Sequence, residues 1–306
     1  VLASTVPSPQ KFEYLSGEVG AAITQQGSGS GTSSLARNPF EVLKRDLATV
    51  MQGKHPNQVL HPLPADVAQG LVDCAPDYLL TTNYDRSLEL CYGNKMQDLP
   101  FTATKYLLEP TGRSIDGSLG MFHIHGIAKK PSTICIGYEH YMGYVQHIRS
   151  RLVETNGDLE SAWRMAYMLL GAWPASGTWE ELFFTSDMAI VGLGMGYEES
   201  DLWELLTLRA AVLRTSDTLR YSGIPSSVYT NTISYYDVEQ RAHPGPTVVD
   251  DHYWNSTNER AEKAQIMQGL LVNVRVVHAN SYALGYNEIA QELRSRGALR
   301  YGSARS

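Results

Sequence analysis

Three short apolar runs along the chain each end in a polar or glycine-rich cluster. They occupy residues 78–80, 121–124 and 188–191, and the clusters that follow read Thr-Thr-Asn-Tyr-Asp, His-Gly and Gly-Leu-Gly-Met-Gly. Buried parallel strands have this pattern, and they deliver side chains to their carboxyl ends, where open α/β sheets bind ligands. The pattern therefore predicts an α/β fold with a Rossmann-like, mostly parallel sheet and one nucleotide crevice.

Helical periodicity fills the stretches between these runs. A helix is expected to begin at Pro39. A helical insert is expected at about 139–182, and its Met and Trp residues are expected to lie in the core. Further predictions are helices at 201–210, 259–271 and 286–294, and a strand at 272–277. Weak periodicity marks an N-terminal arm at 1–26, so the nucleotide-binding domain is expected to span 27–306. Residues 216–257 hold turn formers and tyrosines and are assigned no element.

The composition and charge of the chain exclude several classes of function. Hydrophobic residues make up 43% of the 306 residues and charged residues 19%, with a net charge of −7. An acidic chain argues against direct binding to nucleic acid or an anionic membrane, and no run approaches the roughly 20 apolar residues of a membrane span. The first residues lack the pattern of a signal peptide, so a cytoplasmic location is expected. Three scattered cysteines predict no structural zinc site and no metal.

Several reactions fit these residues poorly. The letters of a nucleophile elbow occur at 27–31, but no convincing strand precedes them. The predicted crevice lacks the paired carboxylates of a glycosidase. A catalytic zinc ion would need both His123 and His125, whereas we expect these histidines to point to opposite sides of their strand.

Cleavage of the N-glycosidic bond of NAD needs no acid, because the nicotinamide leaves as a neutral ring. Asn83 could orient the ribose hydroxyls or the attacking water, and His125 could take a proton near neutral pH. Asp85 could accept a hydrogen bond from the nicotinamide amide and favour positive charge. Alternatively, Asn83 and Asp85 only satisfy turn N–H groups, and the histidines are buried strand side chains. A Gly/Ser run at 27–34 could likewise be a flexible linker.

These motifs resemble those of a known family. Thr-Thr-Asn-Tyr-Asp at 81–85 resembles the Thr-x-Asn-x-Asp motif of sirtuin-like proteins, in the form found in bacterial sirtuin-like NAD hydrolases of phage-defence systems. His-Gly at 125–126 is similar to their His-Gly motif, which implies that His125 and not His123 is catalytic. Gly-Ser-Gly-Thr-Ser at 29–33 resembles their phosphate loop, and the glycine strand at 191–195 resembles the one that lines the adenosine ribose.

The resemblance implies Asn83, His125 and Asp85 as catalytic residues. It implies the following cofactor-binding residues: Gly29, Ser30, Gly31, Ser33, Thr82, Gly192, Gly194 and Met195. Sirtuin deacylases usually carry a four-cysteine zinc module, which three scattered cysteines cannot supply. The resemblance therefore favours an NAD glycohydrolase that releases nicotinamide and ADP-ribose, acting in antiviral defence by cofactor depletion.

Alternative functions remain open from the sequence. They are an NAD-dependent protein deacylase, an ADP-ribosyltransferase, and a non-catalytic nucleotide-binding subunit of a complex. An unrestrained NAD hydrolase would exhaust the cell's cofactor, so we expect a homo-oligomer and a regulatory protein partner. The arm at 1–26 and the Tyr-rich segment 216–257 are the expected contact surfaces, because tyrosine is favoured at interfaces.

Overall fold

The computed structural model describes residues 39–52, 65–103, 105–153, 158–169, 177–196, 199–214, 231–240 and 257–303. The arm predicted at 1–26 and the Gly/Ser run at 27–34 lie outside these residues. The described chain is a mixed α/β structure.

The described helices are α1 (Pro39–Met51), α2 (Ala65–Asp73), α3 (Ser87–Tyr92), α4 (Tyr138–Leu152), α5 (Asp158–Leu169), α6 (Trp179–Thr185), α7 (Ser200–Arg214), α8 (Thr257–Gly269) and α9 (Tyr282–Ser303). Short 3₁₀ turns lie at Gly93–Lys95 and Pro131–Thr133. The helix predicted from Pro39 is confirmed as α1, and the amphipathic helix around Asp201 is confirmed as α7. Among the described helices, none combines the length and the apolar character that a membrane span requires.

A four-stranded sheet contains the first two of the predicted strand ends. Its strands in chain order are β1 (Tyr78–Thr81), β2 (Met96–Asp98), β3 (Gly112–Ser114) and β4 (Gly120–His123). Across the sheet the order is β1-β4-β3-β2. β1 and β4 are parallel, with Thr81 opposite His123, whereas β3 runs antiparallel to β4 and to β2. The segments that follow β1 and β4 therefore leave the same edge of the sheet.

A second sheet contains the third predicted strand end. Its strands are β5 (Met188–Val191), β6 (Ile233–Gln240) and β7 (Asn273–Ala279), which are parallel and adjacent in that order. α7 follows β5 in the chain, α8 lies between β6 and β7, and α9 packs against both β6 and β7. This alternation of parallel strands and helices is typical of α/β proteins.

One hydrophobic core joins the two sheets. It includes Phe122 of β4, Ile190 of β5 and Tyr235 of β6. α7 contributes leucines to this core, and α4, α5 and α6 pack against α7. The apolar residues of α7 recur three and four positions apart. Leu202, Leu205 and Leu206 are therefore all buried, as expected for a helix covered on one broad face. The helices between β4 and β5 thus share one core with α7 and with strands of the second sheet.

The segment at 216–257 departs from the sequence-based prediction. It contains β6, the central strand of the second sheet, for which no element was predicted. Tyr235 and Tyr236 lie in this strand and are only 6% and 1% exposed. Because these rings fill the core on both faces of a central strand, they cannot form the contact surface expected of this segment. Tyr229 and Tyr253 lie outside the described residues.

Candidate active site

His125 lies just beyond β4, in a turn that closes with a hydrogen bond from Gly126 N–H to the His123 carbonyl at 3.0 Å. Gly126 has φ +96°, a conformation that residues with a side chain rarely adopt. The turn directs the imidazole of His125 towards α7. There its Nε2 lies 3.0 and 3.2 Å from the two carboxylate oxygens of Asp201.

Asp201 lies in the first turn of α7, where the helix dipole favours a negative charge. Its side chain is 0% exposed and that of His125 is 3% exposed, so the pair is shielded from solvent. The ring of Tyr141, from α4, meets the imidazole edge-to-face at a centroid distance of 5.4 Å. The Asp201 carboxylate and the Tyr141 ring thus both help to fix the orientation of the His125 imidazole.

His123 has a different set of partners. Its Nδ1 lies 2.8 Å from the Thr111 hydroxyl and its Nε2 lies 2.9 Å from the Asp85 carbonyl. Strand alternation does not explain why the two histidines diverge, since residues two apart in a strand share a face, and that part of the sequence-based argument was wrong. They diverge because β4 ends at His123 and the chain turns before His125. His123 connects the sheet to the backbone of the neighbouring loop.

The residues after β1 form the polar loop that the sequence predicted. Asn83 is exposed, and its N–H donates to the Thr81 hydroxyl at 3.1 Å. The Asp85 carboxylate accepts a hydrogen bond from Ser87 N–H at 2.8 Å, at the start of α3. One oxygen of Asp85 thus accepts from a turn N–H group, which is the purely structural role that the sequence left open for this residue. Asn83 is exposed to solvent. Thr82 is half-buried.

A chain of hydrogen bonds connects the Asn83 loop to the His125 turn. The Tyr84 hydroxyl donates to the Cys135 carbonyl at 2.9 Å, and Cys135 N–H donates to the His125 carbonyl at 2.7 Å. Burial raises the pKa of the Tyr84 hydroxyl and of the Cys135 thiol, and the Asp201 charge adds to both shifts. Both groups therefore stay protonated at neutral pH, and the link between the loop and the turn runs through the Tyr84 hydroxyl and the Cys135 backbone.

The glycine-rich turn after β5 leads from the second sheet to Asp201. Gly192 has φ +68°, and a Cβ there would lie 3.2 Å from the Tyr286 hydroxyl. A Cβ on Gly194 would meet no other atom within 4 Å. Met195 is only 2% exposed and packs in the core, so at this position only the backbone could line a ligand. The phosphate-loop residues Gly29, Ser30, Gly31 and Ser33 lie outside the described residues.

Sequence reasoning missed three buried residues near His125. Asp201 was predicted as the start of an amphipathic helix and was assigned no chemical role, although an acidic residue shortly after a glycine-rich strand end is the same kind of signal that marked Asn83. His140 and Lys44 are each 5% exposed, and Lys44 Nζ donates to His140 Nδ1 at 2.9 Å. Burial lowers the pKa of His140 to about 3, with further lowering by the Lys44 and Lys105 charges, so His140 is neutral. Nothing in the sequence around His140 indicated this environment.

The arrangement suits proton transfer. A buried imidazole that donates a hydrogen bond from one nitrogen to a carboxylate can take a proton on the other nitrogen, and the carboxylate then stabilises the imidazolium.

Within the described ranges, no group of three or more His, Cys, Asp or Glu side chains could hold a metal ion. No protein-family model matches the chain, and a search of curated proteins found no similar sequence.

Proposed function

We propose that this protein is an NAD glycohydrolase that cleaves NAD to nicotinamide and ADP-ribose. The observation that carries the proposal is the buried pair of His125, just beyond the carboxyl end of β4, and Asp201, in the first turn of α7. The Asn83 loop leaves the same sheet edge and is tied to the His125 turn through Tyr84 and Cys135. A proton acceptor and an exposed amide side chain at one edge are what hydrolysis of a ribosyl–pyridinium bond requires.

The fold is consistent with this proposal. We infer a Rossmann-like, sirtuin-like domain in which both sheets belong to one nucleotide-binding unit, because His125 follows β4 of the first sheet and its partner Asp201 lies on α7, which follows β5 of the second. Ligands of such domains bind outside the carboxyl ends of parallel strands. The Gly-Ser-Gly-Thr-Ser segment at 29–33 and the turn at Gly192 would contact the phosphates and the adenosine ribose, and Thr82 would line the same crevice. A role in antiviral defence through cofactor depletion, restrained by oligomerisation or by a partner protein, belongs to the same proposal.

The test is to incubate the purified protein with NAD and to follow the release of nicotinamide, alone and with the proteins encoded beside it. His125→Ala is expected to lower turnover on the order of 100-fold or more, as removal of a general base does. His278→Ala is the matched control, because His278 is an exposed histidine on β7 whose partner is Glu239. Equal turnover by the two variants would contradict the proposal.

The same assay separates the alternative functions. NAD loss that requires a protein or nucleotide acceptor would indicate a deacylase or an ADP-ribosyltransferase. Binding of NAD without turnover, with or without the neighbouring proteins, would indicate a nucleotide-binding subunit. Release of nicotinamide and ADP-ribose in water alone supports the glycohydrolase.

A further inference from the structure

The contact between His125 and Asp201 fixes which imidazole nitrogen carries the proton. Both carboxylate oxygens lie near Nε2, at 3.0 and 3.2 Å. An ionised carboxylate only accepts hydrogen bonds, so Nε2 must be the donor. In the neutral imidazole the lone pair then lies on Nδ1. The other tautomer would place two lone pairs against each other in a buried site, where such a repulsion is strongest.

We propose that Asp201 is a positioning residue that holds His125 as the Nε2–H tautomer, so that Nδ1 is the atom that takes the proton from the nucleophile. This inference rests on the proposed function. In the step it describes, a water oxygen bonds to the ribose C1′ of NAD while the bond from C1′ to the nicotinamide nitrogen breaks. Nicotinamide leaves with the bonding electrons as a neutral ring, and the water proton passes to Nδ1. The imidazolium then faces the Asp201 carboxylate until the proton reaches solvent.

Asp201 suits this role better than the acidic residue that the sequence singled out. Asp85 uses a carboxylate oxygen to accept from Ser87 N–H, and its backbone carbonyl, not its side chain, meets His123. Asp201 is fully buried, it contacts His125 directly, and it lies at the positive end of the α7 dipole.

Asp201 is the carboxylate in direct contact with His125, and Glu199 is a second buried acidic residue near the site, where its charge helps to raise the pKa of Tyr84. Tyr141 of α4 and Tyr84 of the Asn83 loop both have a pKa raised by burial, so both are neutral phenols. His140 of α4 is neutral, and the buried Cys135 keeps its thiol proton. The charge of Lys44, whose Nζ donates to His140, disfavours a second cation at His140. An imidazolium at His125 would be stabilised by the Asp201 carboxylate that its Nε2 contacts.

The experiment uses the full chain and two variants of α7. Asp201→Asn keeps the size of the side chain but gives it an amide that can donate to Nε2, which permits the other tautomer. Glu204→Gln removes a carboxylate from the same helix whose partner is Arg149 rather than His125. We expect Asp201→Asn to lower kcat by roughly 10³- to 10⁴-fold with a KM for NAD within about threefold of the wild-type value. Glu204→Gln is expected to match the wild type in both constants.

A second readout does not depend on turnover. Histidine-selective ¹⁵N NMR, with the His125 signals assigned by their loss in His125→Ala, reports which ring nitrogen is protonated. We expect protonated Nε2 and unprotonated Nδ1 in the wild type, and protonated Nδ1 in Asp201→Asn. A wild-type signal from protonated Nδ1, or a kcat for Asp201→Asn within about threefold of the wild type, would overturn the inference. If the wild type releases no nicotinamide under any condition, the proposed function fails, and the NMR measurement alone decides the role of Asp201.

Discussion

Gly126→Ala tests whether the turn that directs His125 has room for a single methyl group. A Cβ at this position would lie 2.1 Å from the Thr133 carbonyl oxygen, 2.4 Å from its carbon and 2.7 Å from the Ile134 nitrogen. These are backbone atoms, so no side-chain rotation relieves the contact. The peptide between Thr133 and Ile134 would have to move by about 1 Å in a densely packed interior. That movement would also disturb the neighbouring Cys135 N–H, which donates to His125.

Two costs add at Gly126. A side chain at φ +96° costs about 1–3 kcal/mol, and the displacement of packed backbone costs about another 1–3 kcal/mol. Gly117→Ala is the matched control, because Gly117 also has a positive φ, +76°, but a Cβ there meets nothing within 4 Å. We therefore expect Gly126→Ala to lower the free energy of unfolding by about 1–3 kcal/mol more than Gly117→Ala does.

Urea unfolding, followed by tryptophan fluorescence and by circular dichroism, measures both variants against the wild type. The mean activity of the folded fraction of Gly126→Ala should also fall, since His125 moves with the turn. Equal destabilisation by the two substitutions would show that the turn relaxes freely, and the argument for a rigid His125 turn would then fail.

Three further predictions concern single side chains. Asn83→Ala should lower NAD turnover by on the order of 100-fold while leaving the unfolding midpoint unchanged, because this side chain is exposed; a steady-state assay beside a thermal melt decides it. Burial raises the pKa of Glu180 above its ordinary value of 4.5, so its contribution to stability falls as pH rises through that raised pKa. Urea unfolding of Glu180→Gln and of the wild type, measured as pH rises from 4.5 through the raised pKa, should therefore show the variant gaining stability relative to the wild type. Arg209→Met should cost about 1–3 kcal/mol because it leaves the carbonyl and the side-chain oxygen of the half-buried Asn231 without the guanidinium, whereas Arg149→Met, at an exposed ion pair, should cost about 0–1 kcal/mol in the same denaturation assay.

Local patterns explain which elements the sequence could predict. β1, β4 and β5 are short apolar runs that end in turn-forming residues, and α7 repeats its leucines at helical spacing. β6 was missed because Ser234, Asp237 and Glu239 interrupt its apolar residues, although its aromatic and β-branched content favours a strand. Ser234 is nonetheless 4% exposed, since a central parallel strand is covered on both faces. β2 and β3 are three residues each and form through pairing with neighbouring strands, which a local pattern does not record.

The residues of the candidate site also separate into those that a local pattern predicts and those that depend on the packing of distant elements. Asn83 and His125 follow apolar runs, so their position at a sheet edge was predictable from residues within a few positions of each. The partnership of His125 with Asp201 links residues 76 apart, and that of Lys44 with His140 links residues 96 apart. No local spacing encodes such pairs, because they depend on how α1, α4 and α7 pack. For that reason His140 looked featureless in the sequence.

The pair of His125 and Asp201 also has a consequence for the newly made chain. His125 follows a strand of the first sheet, and Asp201 begins the helix that follows the first strand of the second. A ribosome-bound fragment that ends before α7 thus contains the histidine without its carboxylate, and a contact between residues so far apart must first offset the entropy of closing a long loop. The pair comes into being only when both halves have been synthesised and have docked. On the proposed function, a nascent chain that lacks α7 therefore has the histidine without the carboxylate that orients it, and NAD cleavage would begin only once α7 is in place.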